Sequence, residues 1–402
     1  MKVLQINSVC GTGSTGRIVV QISDYLNQQD VENYIAYGYG KSGRPNTFCF
    51  GNSLDAHLHS FFSRKLGWQG KMSHIPTWHL IRYMERIKPD IIHLHNIHGH
   101  YLNYEMLFQY LKKKNCQVVW TFHDCWPVTG KCAHFTEVKC EKWKTGCFEC
   151  PQLDRYPDSE RDRSYKSYLE KKALFTSIPN LHIVTVSNWL KSVAQASFLG
   201  KTDVRTIYNG VDTERFSYQN SSIREQYQLQ GKFIILSVAS VWNKGKGLNR
   251  FIALSKRLQE DEMIVLIGVT PDQKKCLPKN IIGLPRISDQ IILTQWYSTA
   301  DVYINFSIEE TFGLVVAEAM ACGTPAIVMN STACPEVVDS DTGFVVEPMD
   351  IDEVQAAIKT IKEKGKDVYS LKCRERIQKQ FSILKMQEMY WNMYIDLGKK
   401  NE

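Results

Sequence analysis

The feature that most constrains this chain is a repeated alternation of short β-rich apolar runs with longer helical patterns. One series contains Lys2–Ile6, Asp90–Leu94, Gln117–Thr121 and His182–Val186, and a second contains Phe233–Leu236, Met263–Ile267, Asp301–Asn305 and Pro325–Met329. Alternating βα units imply parallel sheets with helices on both faces. A single doubly wound sheet holding every run would exceed the usual size, so two Rossmann-like domains are expected. The 402 residues agree with that count, at about 150 residues per domain. The join falls in the polar, turn-rich stretch from Asn209 to Gly231. The expected division is therefore 1–210, 211–380 and a tail of 381–402. In that tail Phe381, Leu384, Met389, Met393 and Leu397, with Ile383, Met386 and Tyr390 beside them, have the spacing of an amphipathic helix packed on a domain surface.

Composition narrows the function classes. Lys and Arg number 49 against 42 Asp and Glu, a net charge of +7, which favours anionic partners. A nucleic-acid binder carries a denser basic cluster, so none is expected as partner. The most apolar stretch, Phe233–Trp242, falls far short of the ~18 residues of a spanning helix. The first apolar run, Val3–Ile6, is broken by polar residues before it reaches the ~7–15 residues of an export signal. A cytoplasmic protein with its 12 cysteines reduced is the expectation.

Four loops carry chemistry. Gly11-Thr-Gly-Ser-Thr-Gly16 follows the first strand and is expected to open a helix near Arg17. Such glycines let amides approach an anion. A dinucleotide site also needs an acid after the second strand, where this chain has Gly38-Tyr39-Gly40-Lys41. A loop facing a ligand phosphate or sugar is thus favoured over an NAD site or a purely structural turn. The second loop, Ser307-Ile-Glu-Glu310-Thr-Phe312-Gly313-Leu314, leads into a helix that carries Glu318 and closes at Gly323. Amides of Gly313 and Leu314 suit a phosphate, and two carboxylates suit sugar hydroxyls. The plain reading is an ordinary helix-start acid at Glu310 and a solvated acid at Glu318, but Glu318 lies among apolar neighbours and needs partners there. The third loop holds two lysines, Lys244 and Lys246, and two glycines, Gly245 and Gly247, after a strand, as a diphosphate site or as a solvated basic loop. The fourth group is His93, His95, His98, His100 and His123-Asp124, read as strand-end hydrogen-bonding residues rather than metal ligands.

Taken together, these segments resemble the retaining family-4 glycosyltransferases of the GT-B fold, over nearly the whole chain. Glu310 and Glu318 within Glu310-Thr-Phe-Gly-Leu-Val-Val-Ala-Glu318-Ala-Met-Ala-Cys-Gly-Thr-Pro325 carry most of the likeness. Pro335-Glu-Val337, Thr342-Gly-Phe-Val345, Ile207–Asp212, Pro89–His95, His123-Asp124 and Gly13-Ser-Thr-Gly16-Arg17 add to it. The Trp126–Pro151 segment is similar to the branch associated with colanic acid and capsular polysaccharide synthesis in bacteria. The resemblance implies two Rossmann-like domains facing an interdomain cleft. It implies a nucleotide-sugar donor on the C-terminal domain and a glycan or polyprenyl-linked oligosaccharide acceptor. Glu318 would hold the ribose, Glu310 the transferred sugar, and Phe312, Gly313 and Leu314 the sugar and diphosphate through their amides. Lys246 would hold phosphate, with Lys244 standing in for an arginine that the family carries where this chain has Ser240. Gly16 and Arg17 would lie near the diphosphate or acceptor, and His123 near the reacting sugar. Neither cofactor nor catalytic metal is implied. A sugar-nucleotide epimerase and a catalytically silent GT-B binding domain are the alternatives.

Two features stand outside that resemblance. Cys132, Cys140, Cys147 and Cys150 crowd one loop with Trp143, and buried free thiols are favoured there over structural zinc. The His57–Trp68 segment mixes aromatic and basic residues, which fits either a core helix or a peripheral contact with the inner face of the membrane.

Overall fold

The computed structural model describes residues 1–348 and 350–399, in two compact units. Unit 1 comprises Met1–Tyr208 and the chain from Met386 onward, and unit 2 is Asn209–Lys385.

Unit 1 is a seven-stranded parallel sheet of β1 (Lys2–Val9), β2 (Glu32–Tyr39), β3 (Thr47–Cys49), β4 (Ile91–Leu94), β5 (Gln117–Phe122), β6 (Leu181–Thr185) and β7 (Asp203–Thr206), in the order β3-β2-β1-β4-β5-β6-β7. Strands β4 and β5 are buried at every position, as expected of strands covered by helices on both faces. Strand order reverses between β1 and β4, where Val3 pairs with Ile91 and Ile6 with Leu94. Ligands of such sheets bind outside the carboxyl ends of strands at this reversal. The helix after β1 runs Gly13–Gln28 and so begins four residues before the expected start near Arg17. Gly16 therefore lies inside the first turn, where a Cβ would stand 3.0 Å from a Val9 methyl and 3.2 Å from the Val9 carbonyl oxygen. Its lack of a side chain lets the helix approach the strand.

The tail forms the helix Ile383–Gly398, whose buried residues are Met386, Tyr390, Met393, Tyr394 and Leu397. They join Val3, Ile18, Ile22, Ile91, Val119 and Val184 in one apolar core. Leu384, expected on the apolar face, is exposed, because the buried stripe begins only at Met386.

Unit 2 is a six-stranded parallel sheet of β8 (Phe233–Val238), β9 (Glu262–Ile267), β10 (Ile281–Leu284), β11 (Val302–Asn305), β12 (Ala326–Met329) and β13 (Gly343–Val346), in the order β10-β9-β8-β11-β12-β13. Here the reversal lies between β8 and β11, so the lysine loop and the glutamate loop leave the sheet side by side. The two ends of the unit are zipped together: the Val211 amide donates to the Phe381 carbonyl at 2.7 Å, and the Ile383 amide to the Val211 carbonyl at 3.0 Å.

The helix Ser53–Leu66 buries only His59 and Ser63 among its residues, while Leu54, Leu58 and Phe61 are exposed. That sets aside the core-helix reading of this segment.

Candidate active site

In unit 2 the loop after β8 is anchored by Trp242, which is buried and donates its indole N–H to the Ile267 carbonyl at 2.9 Å. The Lys246 amide donates to the Asn243 side chain at 3.0 Å, and Gly247 then caps the helix Leu248–Ser255. At Gly247 φ is +80° and a Cβ would lie 2.5 Å from the Phe306 Cβ, so only glycine lets this turn meet the neighbouring loop. The turn aims Lys246 at that loop, where its Nζ lies 2.5 Å from Glu310 Oε1. Burial pulls the Lys246 ammonium down, but the Glu310 carboxylate more than offsets this and leaves it above its ordinary value. Lys244 is exposed, and among the described residues its side chain forms no ion pair.

The glutamate loop is held from the other side by the turn after β12. The Glu310 amide donates to the Thr332 hydroxyl at 3.1 Å, the Ala333 amide to the Glu310 carbonyl at 3.2 Å, and the Ser331 hydroxyl to the Ile308 carbonyl at 2.8 Å. Phe312 is buried edge-to-face against Phe381, with ring centroids 5.5 Å apart. Gly313 caps the helix Leu314–Ala321 with no side-chain cap, and first-turn amides have no intrahelical acceptor. Glu318 lies one turn into that helix, buried, and accepts a hydrogen bond from the Tyr297 hydroxyl at 3.0 Å. This supplies the partner that a carboxylate in apolar surroundings requires. Tyr303 has its hydroxyl pushed far up, first by burial and in part by the charges of Glu310 and Glu318, so it stands near both acids.

In unit 1 the glycine loop, the end of β4 and the end of β5 share one sheet edge. Asn7 links the glycine loop to the end of β4, donating to the Val9 carbonyl at 2.8 Å and to the Thr15 hydroxyl at 3.4 Å and accepting from the Asn96 amide at 3.2 Å. A cavity there is lined by His95, His98, His123, Asp124 and Trp126. His123 and His95 share a hydrogen bond of 3.1 Å, and His95 reaches Gln5 at 3.1 Å with its other nitrogen. Burial, with Asp124 opposing it, pulls the His123 imidazole down to about 4, so it is neutral at ordinary pH. Burial pushes the Asp124 carboxyl up, but His98, 2.7 Å away, overrides it and holds the group at about 2. His93 is bound to the Tyr394 hydroxyl at 2.6 Å and to Thr121 at 2.8 Å. Gly16 closes the first turn of its helix and Arg17 opens the second, at the same sheet edge.

Sequence reasoning missed Tyr297, Tyr394 and the pairing of His98 with Asp124. A tyrosine inside an apolar helix gives no warning that its hydroxyl serves a carboxylate from another element.

Residues 15–215 match the profile described as Glycosyltransferase Family 4, and residues 219–380 match Glycosyl transferases group 1. The chain belongs to glycosyltransferase family 4. This glycosyltransferase is 26% identical to a putative colanic acid biosynthesis glycosyl transferase, WcaC, of Escherichia coli K12, over 99% of this chain and 100% of that one. It is also 26% identical to the capsular polysaccharide biosynthesis glycosyltransferase CapM of Staphylococcus aureus, over 58% of this chain and 66% of that one. Among solved structures, sucrose-phosphate synthase from Thermosynechococcus elongatus superposes with a TM-score of 0.72 at 17% identity, covering 100% of both chains. Anabaena Alr3699/HepE in complex with UDP-glucose does so with a TM-score of 0.68 at 14% identity, over 98% of this chain and 100% of that one. The fold of this family-4 enzyme is GT-B.

Proposed function

We propose that the enzyme moves a hexosyl group from a nucleotide-sugar to a glycan or polyprenyl-linked oligosaccharide in surface polysaccharide biosynthesis, with retention at the anomeric carbon and without a metal or cofactor in the chemical step. The observation that carries this reading is the cluster at the β8/β11 edge, where Lys246, Glu310 and the first turn of the Gly313-capped helix adjoin. Breaking the anomeric bond places negative charge on the diphosphate. Lys246 and the amides of Phe312, Gly313 and Leu314 stabilise that charge, while Lys244 acts at the solvent side of the same loop. Glu310 accepts from hydroxyls of the transferred sugar, and Glu318, held by Tyr297, from the ribose.

To unit 1 we assign the acceptor side, with Gly16 and Arg17 toward phosphate or acceptor and His123 toward the reacting sugar. A neutral imidazole suits positive charge developing on that sugar, whereas an imidazolium would oppose it. The diphosphate departs and the acceptor hydroxyl arrives on one face, its proton passing to the leaving phosphate oxygen, which gives retention. The names of the colanic acid and capsular relatives support the polysaccharide setting. Among the described residues no helix is long and apolar enough to cross a membrane. Exposed Leu54, Leu58 and Phe61, on the helix that also carries Arg64 and Lys65, support a peripheral contact at the inner membrane face of a cytoplasmic enzyme.

The test is a donor screen in the presence of chelator, with uridine and guanosine diphosphate sugars and a polyprenyl-linked acceptor. Anomeric proton couplings of the product give the stereochemistry. Transfer with retained configuration is expected; donor turnover independent of acceptor would instead favour an epimerase, and inversion or a need for metal would overturn the mechanism.

A further inference from the structure

Between β5 and the helix Ser164–Phe175, the chain from His123 to Arg163 contains only two short 3-10 turns, Trp126–Val128 and Lys142–Lys144. Long connections without regular structure are uncommon inside compact domains, yet this one buries Cys125, Trp126, Cys132, Phe135, Trp143 and Cys147. Small irregular cores of this kind usually gain stability from a cross-link or a metal. No sulfur here is in a disulfide.

Four thiols of this segment, Cys132, Cys140, Cys147 and Cys150, line one small cavity together with Lys131 and Trp143. The Gly130 amide donates to Cys147 Sγ at 3.1 Å, a contact that stabilises charge on the sulfur. A Cβ at Gly130 would lie 2.8 Å from the Cys147 Cβ and 2.2 Å from the Ser164 carbonyl oxygen, so glycine is required for that approach. Two buried lysines flank the cluster. Lys131 donates to the carbonyls of Gln152 and Arg155 at 3.0 and 2.8 Å. Lys171 donates to those of Trp126 and Thr129 at 2.8 and 3.0 Å, and its Nζ lies 3.4 Å from the Trp126 ring centroid. Their partners are dipoles and a ring face, which leave two positive charges inside the domain without a carboxylate bonded to either.

We infer that Cys132, Cys140, Cys147 and Cys150 together bind one structural zinc ion. Zinc with four thiolates carries two negative charges, and the two buried ammonium groups balance them. The four thiol protons leave to solvent as the metal enters. As the side chains stand, no group of three or more His, Cys, Asp or Glu among the described residues is set to hold a metal. Loading therefore requires the cysteine side chains to turn toward the cavity they line. The cluster lies in unit 1, whereas Lys246, Glu310 and Glu318 lie in unit 2, and its role is to fix the segment that carries Asp124 and Trp126.

The test is metal analysis of the full-length protein, expressed with zinc and freed of loosely bound ions. About one equivalent of zinc is expected, and cobalt substitution should give the absorption of a tetrahedral thiolate centre. Cys150→Ser and Cys147→Ser should each lower the zinc content to below about half an equivalent while nucleotide binding, read separately, persists. Less than about half an equivalent in the parent protein, or an unchanged content in a variant lacking all four thiols, overturns the inference. If a single-serine variant does not fold, the cobalt spectrum of the parent decides alone: octahedral or absent bands overturn it.

Discussion

Lys246 and Glu310 come from loops after neighbouring strands and meet at 2.5 Å. Each therefore holds the other at the edge where a donor diphosphate and its sugar are proposed to lie, before any ligand arrives. Lys246→Ala and Glu310→Ala are each expected to reduce turnover by about 10²-fold or more, with the circular dichroism spectrum and melting temperature little changed. A partly exposed ion pair contributes little to folding, so an activity loss without a stability loss separates a functional role from a structural one. Parent rates in both variants would reject the assignment.

Glu318 and Tyr297 make a second, more buried pair. Tyr297→Phe removes one hydrogen bond to a carboxylate, worth about 1.5–3 kcal/mol, and is expected to lower stability as well as affinity for nucleotide. Glu318→Gln keeps the shape and an acceptor oxygen, so its main effect should be a nucleotide Kd raised by about tenfold, from the loss of one charge-assisted hydrogen bond. Calorimetric titration with uridine and guanosine diphosphates measures both. Equal Kd values for parent and Glu318→Gln with every nucleotide would remove Glu318 from the ribose site.

Unit 1 contains buried histidines held neutral: burial pulls His59 to about 3 and His123 to about 4, and pulls His93 and His95 far down as well. An unfolded histidine titrates near about 6.5. Between that pH and about 4 the unfolded chain binds more protons than the folded one, so stability is full above the unfolded value and falls as the pH drops through this window. Asp124 acts lower, since its carboxyl is held at about 2 by His98 against the effect of burial, and its contribution is lost only below the ordinary carboxylate range. Urea unfolding followed by tryptophan fluorescence should therefore show a midpoint that declines from pH 7 to pH 4. A flat profile over that range would contradict the neutral state of these rings.

His95 touches His123 at 3.1 Å and stacks on its ring, and it lies against His93 in a tilted arrangement with ring centroids 3.9 Å apart. It is a positioning residue in this reading. His95→Gln should lower kcat by about tenfold or more with a smaller change in KM; a rise in KM alone would place its effect in substrate binding.

Much of this was legible in the sequence, and the reasons differ by element. The two series of strands were readable because buried parallel strands such as β5 are apolar throughout. Glu318 stood out because a carboxylate among alanines, valines and methionine requires a partner. Its partner was not readable: Tyr297 lies on another helix, and only the packing of Gln290–Thr299 beside Leu314–Ala321 brings the hydroxyl in. The start of the first helix was misread by four residues because Gly13 and Gly16, poor helix formers, occupy its first turn. Lys131 and Lys171 were passed over because a lysine is normally read as solvated, and only the fold shows main-chain carbonyls around them.

Met386, Tyr390, Met393, Tyr394 and Leu397 complete the core begun by Val3 and Ile18. On the ribosome those residues emerge only after unit 2 has been made, so the first half of the protein must wait, with its core open, for the last. Unit 2 is thus an insertion within unit 1, and cutting the gene at the junction after Tyr208 would yield a first fragment lacking a wall of its own interior.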